Sequence, residues 1–108
     1  MFGDLGKMMK LAGEMKRRLP EMQARLAASE YAAEAGGGVV SATVNGKMQL
    51  VGLRVDPAVL AEGDATMLED LIKAAVSAAQ GKAAAAAAEA MKELTGGLPL
   101  PGLEGMLG

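Results

Sequence analysis

The apolar residues at the start of the chain recur with a heptad spacing. They stand alternately three and four positions apart, at Leu5, Met8, Ala12, Met15, Leu19, Met22 and Leu26. This spacing places all of them on one face of a single α-helix, the seam of a coiled-coil type of contact. The sequence therefore predicts a helix over about residues 4–29, with Asp4 capping its start.

Two residues within this helix lower its stability. Gly13 costs about 1 kcal/mol relative to alanine. Pro20 removes a main-chain hydrogen bond and costs about 3 kcal/mol in an ordinary helix interior. Because the heptad spacing continues in phase through Pro20, we expect one bent helix rather than two.

The middle of the chain carries the signals of three short strands. Glu30–Ala35 is a weak strand candidate, and the glycines at 36–38 separate it from the alternating segment Val39–Val44. Asn45-Gly46 then favours a hairpin turn in which both residues have positive φ. Met48–Val55 is the return strand, which ends at Asp56-Pro57 because proline cannot donate to a sheet.

The sequence leaves two registers open for this hairpin. A two-residue turn places Val40 opposite Val51. A three-residue turn with a bulge shifts the pairing and places Val44 opposite Met48.

A second long helix is predicted over about residues 64–94. Asp64 is a good N-cap, and Gly96 is a helix stop. The apolar stripe of this helix consists of Leu68, Leu71, Ile72, Ala75, Val76 and Ala79. We expect residues 1–95 to form a single folded domain and the Gly/Pro/Leu-rich segment 96–108 to be a flexible tail.

Helix, three antiparallel strands and helix in that order make an α+β fold. At 1.5 Å per residue the two helices are roughly 39 and 46 Å long, which is long for a chain whose compact radius of gyration would be about 13 Å. Apolar seams that project beyond a sheet need another surface, and a second copy of the chain supplies it, so we expect a homodimer. The residues expected to form the core or this dimer contact are Leu5, Met8, Met15, Leu19, Met22 and Leu26.

The composition argues against catalysis. The chain has no Cys and no His, which excludes disulfides, thiolate nucleophiles and metal sites built on either residue. Glu69 and Asp70 are adjacent and point to different faces of a helix, so they do not form an acid–base pair. The glycines at 36–38 precede a strand and lack the following Lys of a phosphate loop. We expect no enzyme activity, no cofactor and no small-molecule substrate.

Membrane insertion and base stacking are also unexpected. The longest apolar run, Ala83–Ala88, is far short of the roughly 20 residues that span a bilayer. One Tyr and one Phe are too few aromatic side chains for a single-strand stacking platform.

The charge of the chain is unevenly distributed. Residues 1–28 carry +3 and residues 29–108 carry −5, within a net charge of −2. The cations that we consider candidate DNA contacts are Lys10, Lys16, Arg17, Arg18 and Arg25. A row of cations on a projecting helix can follow a phosphate backbone, with weak sequence preference. Charge alone fits a solvated basic helix better, since only clustered cations make a footprint.

Several short stretches, in their order and spacing, are together specific. They are Met1-Phe2-Gly3 before the Met-rich helix, Gly37–Val40, Val44–Gly46, Val55–Pro57 with Leu60, Met67–Ile72 with Ala74-Ala75, and Leu94–Gly102. Over nearly its full length the chain resembles the YbaB/EbfC family of nucleoid-associated DNA-binding proteins.

This resemblance implies an α–βββ–α protomer and a tweezer-like homodimer that binds and compacts duplex DNA in the cytoplasm, at the nucleoid. It transfers no individual DNA-contact residue to this chain. The second helix departs from the family at Ser77 and Ala83–Ala88, where relatives tend to be more polar, so the resemblance does not extend DNA binding to that helix. The alternative function is a protein-interaction or scaffold module that uses the heptad helix and the Pro-Leu-Pro tail, and the acidic net charge favours it.

Overall fold

Two long helices and a three-stranded antiparallel sheet make up the protein in a computed structural model, which describes residues 2–94 and 96. The elements in chain order are α1 (Phe2–Ala28), β1 (Glu30–Ala35), β2 (Val40–Asn45), β3 (Leu50–Val55), α2 (Pro57–Ala61) and α3 (Ala65–Leu94). The predicted α+β order is confirmed, with the short helix α2 as an addition. Of the predicted tail, all but Gly96 lies outside the described residues.

Helix α1 runs without interruption through Pro20, as the continuous heptad predicts. It begins at Phe2, so Asp4 lies in its first turn rather than at the N-cap. There the carboxylate complements the positive end of the helix dipole. The helix ends at Ala28, and the N–H of the next residue, Ser29, donates to the carbonyl oxygens of Arg25 and Leu26, both at 3.1 Å.

The sheet has the order β1-β2-β3, and its central strand carries the core. β1 pairs with β2 from Glu30 opposite Asn45 to Ala35 opposite Val40. The weak strand candidate is therefore a full strand. Its alanines have low β propensity, but hydrogen bonding to β2 along all six residues stabilises it.

Both predicted registers of the second hairpin are wrong. The structure places Val40 opposite Val55 and Val44 opposite Leu50, with a bulge that leaves Val51 without a partner. The turn begins one residue later than predicted: Met48 N–H donates to the Asn45 carbonyl at 3.0 Å, and Asn45 N–H donates to the Gln49 carbonyl at 3.0 Å. The return strand consequently starts at Leu50 instead of Met48.

The turn uses Asn45 for its side chain and not for a positive φ. Asn45 Oδ1 accepts from the N–H groups of Lys47 (2.9 Å) and Gln49 (3.1 Å). The residue with positive φ is Met48, at 65°. Gln80 of α3 supports it, since its Nε2 donates to the Met48 carbonyl at 3.3 Å.

Gly46 is required by packing against α1. A Cβ at this position would overlap the Leu26 carbonyl group and crowd the Ala27 nitrogen. The hairpin turn thus rests directly on the main chain of the last turns of α1, and only a residue without a side chain permits this approach.

Helix α3 covers the inner face of β1 and β2. Its contact face is built from buried alanines at 75, 79 and 83, which bring the helix close to the sheet. The sheet side chains beneath them are Ala33, Val40, Ala42 and Val44. The predicted apolar stripe is confirmed, since Leu68, Leu71, Ile72 and Val76 pack on the same cluster.

In the connection between β3 and α3, two aspartate side chains cap the N-termini of α2 and α3. Asp56 caps α2, with Oδ1 accepting from Ala58 N–H at 2.9 Å and Pro57 in the first position of the helix. Asp64 caps α3 as predicted, accepting from Met67 N–H at 3.0 Å. At the other end, Gly96 has a φ of 66° and its N–H donates to the Glu93 carbonyl at 3.2 Å, which fits the predicted glycine stop.

The described chain is elongated, as the helix lengths require. It measures 69 × 24 × 16 Å and has a radius of gyration of 19.4 Å. A compact chain of this length would have a radius of gyration of about 13 Å.

We predict that Gly46→Ala lowers the free energy of unfolding by about 3 kcal/mol, because the new methyl group overlaps main-chain atoms that cannot rotate away. Denaturant unfolding followed by circular dichroism measures the change. The control is Gly81→Ala in α3, where nothing lies within 4 Å of the added Cβ. It should raise stability by about 1 kcal/mol through helix propensity. Equal effects of the two variants would contradict the proposed contact.

Candidate nucleic-acid interface

The heptad seam of α1 is divided into a packed part and an uncovered part. Met22 is 6% exposed, whereas Leu5 is 56% and Met8 67% exposed. Met15, Leu19 and Leu26 are half-buried. The C-terminal part of the seam therefore packs into the core, whereas no described residue covers its N-terminal part.

The packed part lies against the end of α3. Here the two helices enclose an open cleft of about 430 Å³, lined by Arg18, Glu21, Met22 and Arg25 of α1 and by Ala90, Glu93 and Leu94 of α3. From Arg18 back to Asp4, α1 runs for roughly another 21 Å at 1.5 Å per residue. All side chains from 4 to 10 are exposed, so residues 4–10 of α1 form a projecting arm.

The five predicted cations are all exposed, but they lie on three sides of α1. Arg18 and Arg25 line the cleft beside α3. Lys10 and Arg17, two turns apart, lie on the face opposite the seam, and Lys16 flanks the seam on the side away from Arg18. The structure thus brings them together along one helix, but not into one flat patch.

The surroundings of the cations differ. Glu21 and Glu93 share the cleft with Arg18 and Arg25 and weaken its positive field. Lys10 and Arg17 face outward. None of the five forms an ion pair with a carboxylate of the described residues. Their charge is therefore available to an external anion.

Lys7 extends the cationic set and was missed by the sequence analysis. It is exposed and lies eleven residues before Arg18, three helical turns away on the same side of α1. The signal was present in the charge count of residues 1–28, but Lys7 stands apart from the run at 16–18.

Helix α3 is less cationic than α1. Its exposed lysines are Lys73, Lys82 and Lys92, and Glu69, Asp70, Glu89 and Glu93 outnumber them. The Nζ of Lys82 donates to the Ala32 carbonyl at 2.7 Å. Within the described residues no cluster of His, Cys, Asp and Glu could hold a metal ion. No described helix is long and apolar enough to cross a membrane.

Comparison with known proteins shows which family the chain belongs to. The model of the YbaB/EbfC DNA-binding family matches residues 1–98. The chain belongs to the YbaB/EbfC DNA-binding family. The family resemblance noted from the sequence is therefore confirmed, and this is a family of DNA-binding proteins rather than of enzymes.

Similar members of the family cover almost the whole chain. A nucleoid-associated protein of Anaeromyxobacter dehalogenans is 41% identical over 102 residues, which is 94% of this chain and 99% of the relative. A nucleoid-associated protein of Brucella ovis is 43% identical over 98 residues, 91% of this chain and 92% of the relative.

A solved structure supports the fold. The crystal structure of an uncharacterized protein of Helicobacter pylori matches with a TM-score of 0.66 and 20% identity, covering 87% of this chain and 96% of that one. At this identity the likeness concerns the α–βββ–α fold alone.

We predict that Met22→Ala lowers the free energy of unfolding by about 2 kcal/mol, because it removes the most buried α1 side chain of the seam from the contact with α3. The matched control is Met9→Ala on the arm, where the side chain is 69% exposed and the loss should stay within about 0.5 kcal/mol. Denaturant unfolding measures both. A similar loss in both variants would contradict the division of α1 into a packed part and an arm.

Proposed function

We propose that the protein binds duplex DNA as a homodimer, largely through phosphate contacts of α1, and helps to organise or compact the chromosome in the cytoplasmic nucleoid. Membership of a DNA-binding family and relatives named nucleoid-associated proteins support this proposal. The observation that carries it is the exposed row of cations on a projecting helix, with no ion-pair partner among the described residues.

Phosphate contacts suit the spacing of these side chains. Lys10 and Arg17 are seven residues apart, which is roughly 10.5 Å along α1 and about three base-pair steps of a duplex at 3.4 Å each. Lysine and arginine neutralise phosphates and release counterions, and this term does not depend on sequence. α1 has no aromatic side chain among residues 4–28 and no reading head of the helix-turn-helix type, so we expect weak sequence preference.

The acidic remainder of the chain agrees with this proposal. Residues 29–108 carry −5 and would be repelled by a duplex, whereas residues 1–28 carry +3. Because the positive and negative charges lie in different parts of an elongated molecule, the electrostatic field of DNA favours orientations in which α1 faces the duplex. The distribution of charge therefore matters more than the net charge.

The homodimer is supported by the uncovered end of the seam. Leu5 and Met8 are exposed, and phosphates do not cover apolar side chains. A second copy would bring a second cationic α1 and double the number of phosphate contacts. Two such arms fit the tweezer-like assembly that the family resemblance implies.

We predict that the triple variant Lys16→Ala/Arg17→Ala/Arg18→Ala weakens binding to a generic duplex by at least about ten-fold at low salt, because phosphate contacts are lost. The slope of log affinity against log salt should become shallower by about 0.9 for each contact removed. Fluorescence anisotropy with two unrelated labelled duplexes, titrated at several salt concentrations, measures both quantities. Circular dichroism checks that the variant stays folded.

The control variant is Arg54→Ala/Lys73→Ala, which removes two exposed cations from β3 and α3. It should change the salt slope much less per charge removed than the triple variant does. A folded triple variant with unchanged affinity would exclude these three residues as contacts. If the wild-type protein binds neither duplex at low salt and instead retains a stoichiometric protein partner, the scaffold function replaces the DNA function.

A further inference from the structure

Side chains on one side of α1 lose exposure beyond the point where α3 ends. Leu11, Glu14 and Met15 are half-buried. Nearer the N-terminus, Leu5 and Met8 are 56% and 67% exposed, which is what a helix without a neighbour leaves open. The lower exposure of Leu11 and Met15 therefore requires contact with another segment.

The row formed by these three half-buried residues continues the side of α1 that faces the cleft. Each member lies seven residues, or almost two full turns, before a residue that lines the cleft: Leu11 before Arg18, Glu14 before Glu21 and Met15 before Met22. At the same height on the other side of the helix, the side chains at positions 12, 16 and 17 are exposed. The cover is therefore confined to the side of α1 on which α3 lies.

Helix α3 runs towards this row and stops short of it. Gln80 of α3 and Leu26 of α1 both contact the hairpin turn, and Leu94 at the end of α3 lines the cleft with Arg18. α3 therefore runs in the direction in which α1 returns to its N-terminus, and the chain after Leu94 emerges beside the row. Leu11 lies roughly 10.5 Å beyond Arg18 along α1, a distance that four extended residues span at about 3.3 Å each.

The chain after α3 has the composition of a segment that covers an apolar surface. Residues 95–103 include no charged residue and three leucines, Leu98, Leu100 and Leu103, and the first charge follows at Glu104. The two prolines among them favour an extended conformation, which lowers the entropy lost when the segment docks.

We propose that residues 97–103 of the same chain dock in an extended conformation on Leu11 and Met15. The leucines of this segment cover the side of α1 that α3 does not reach, so this part of the chain is an ordered strap rather than a flexible tail. Burial of aliphatic side chains against Leu11 and Met15 drives the docking.

Docking has a consequence for the projecting arm. It extends the contact along α1 by about two turns beyond the cleft, and it ends where the exposed residues 4–10 begin. Leu5 and Met8 stay outside the contact, so a second copy can still cover them. The inference goes beyond the proposed function, since docking requires neither DNA nor a second copy.

Cysteine pairs test the docking, since the natural chain contains no Cys. The variant Met15→Cys/Leu98→Cys places one thiol on the row and one on the docked segment. The matched control, Arg17→Cys/Leu98→Cys, moves the first thiol to the opposite face of α1 at nearly the same height. Without DNA and at low protein concentration, oxidised glutathione should close a disulfide within one chain at least about ten-fold faster in the first variant, because docking holds the two sulfur atoms near bonding distance. Thiol labelling measures the rate, and non-reducing electrophoresis separates single chains from linked dimers.

Amide relaxation measured by NMR provides an independent test. In the wild-type protein, Leu98, Leu100 and Leu103 should have order parameters near the value of about 0.85 that is typical of a rigid backbone. Leu11→Gln should lower them below about 0.6, because it places a polar amide beneath the leucines. Leu5→Gln makes the same change on the arm and should leave them unaltered. Circular dichroism confirms that both variants are folded.

Equal oxidation rates in the two cysteine variants, disulfides that form mainly between chains, or leucine order parameters below about 0.6 in the wild-type protein would overturn the docking. Because these measurements contain no DNA, they are separate from the test of the proposed function. A wild-type protein with an ordered segment that binds neither duplex would contradict the DNA function and leave the docking intact.

Discussion

One α-helix covers only two strands of a sheet, and this limit shapes the whole protein. A helix with its side chains is about 10 Å across, and strands lie about 4.8 Å apart. Helix α3 lies on β1 and β2, held close by the buried alanines at 75, 79 and 83. The third strand is left at the margin with exposed aliphatic residues. The chain folds around the covered pair of strands, and β3 and the exposed end of α1 lie outside that core.

The attachment of α1 follows from the same arrangement. With α3 occupying the inner face of the sheet, α1 is held at its C-terminal half, by the hairpin turn at Gly46 and by the end of α3 against Met22. Its N-terminal part projects with exposed cations. The packed half of α1 and its exposed N-terminal part therefore have different surroundings along one helix.

Local signals in the sequence predict the elements but not the register of the hairpin. The helix that carries the heptad seam, the Asp64 cap and the stripe of α3 depend on neighbouring residues alone, and the structure has these three where the sequence predicts them. At Asn45-Gly46 the local preference for positive φ does not apply, because Gly46 must lie against the main chain of Leu26. A contact between residues 20 positions apart has no local signal. Helix α2 did have one, since Asp56-Pro57 is a helix cap followed by a first-turn proline as well as a strand end.

The candidate site shows a similar division. Sequence alone identifies the cationic helix and places Glu21 within one turn of Arg18 and Arg25, yet it cannot reveal that Glu93 lies beside them, because α3 reaches α1 only in the folded chain. The most direct test of α1 as the DNA-binding element is two-dimensional amide NMR of the labelled protein with an unlabelled generic duplex at low salt. The account predicts shifts concentrated in residues 4–25 that disappear as salt is raised. Shifts concentrated on β1 or α3, with α1 unchanged, would contradict it.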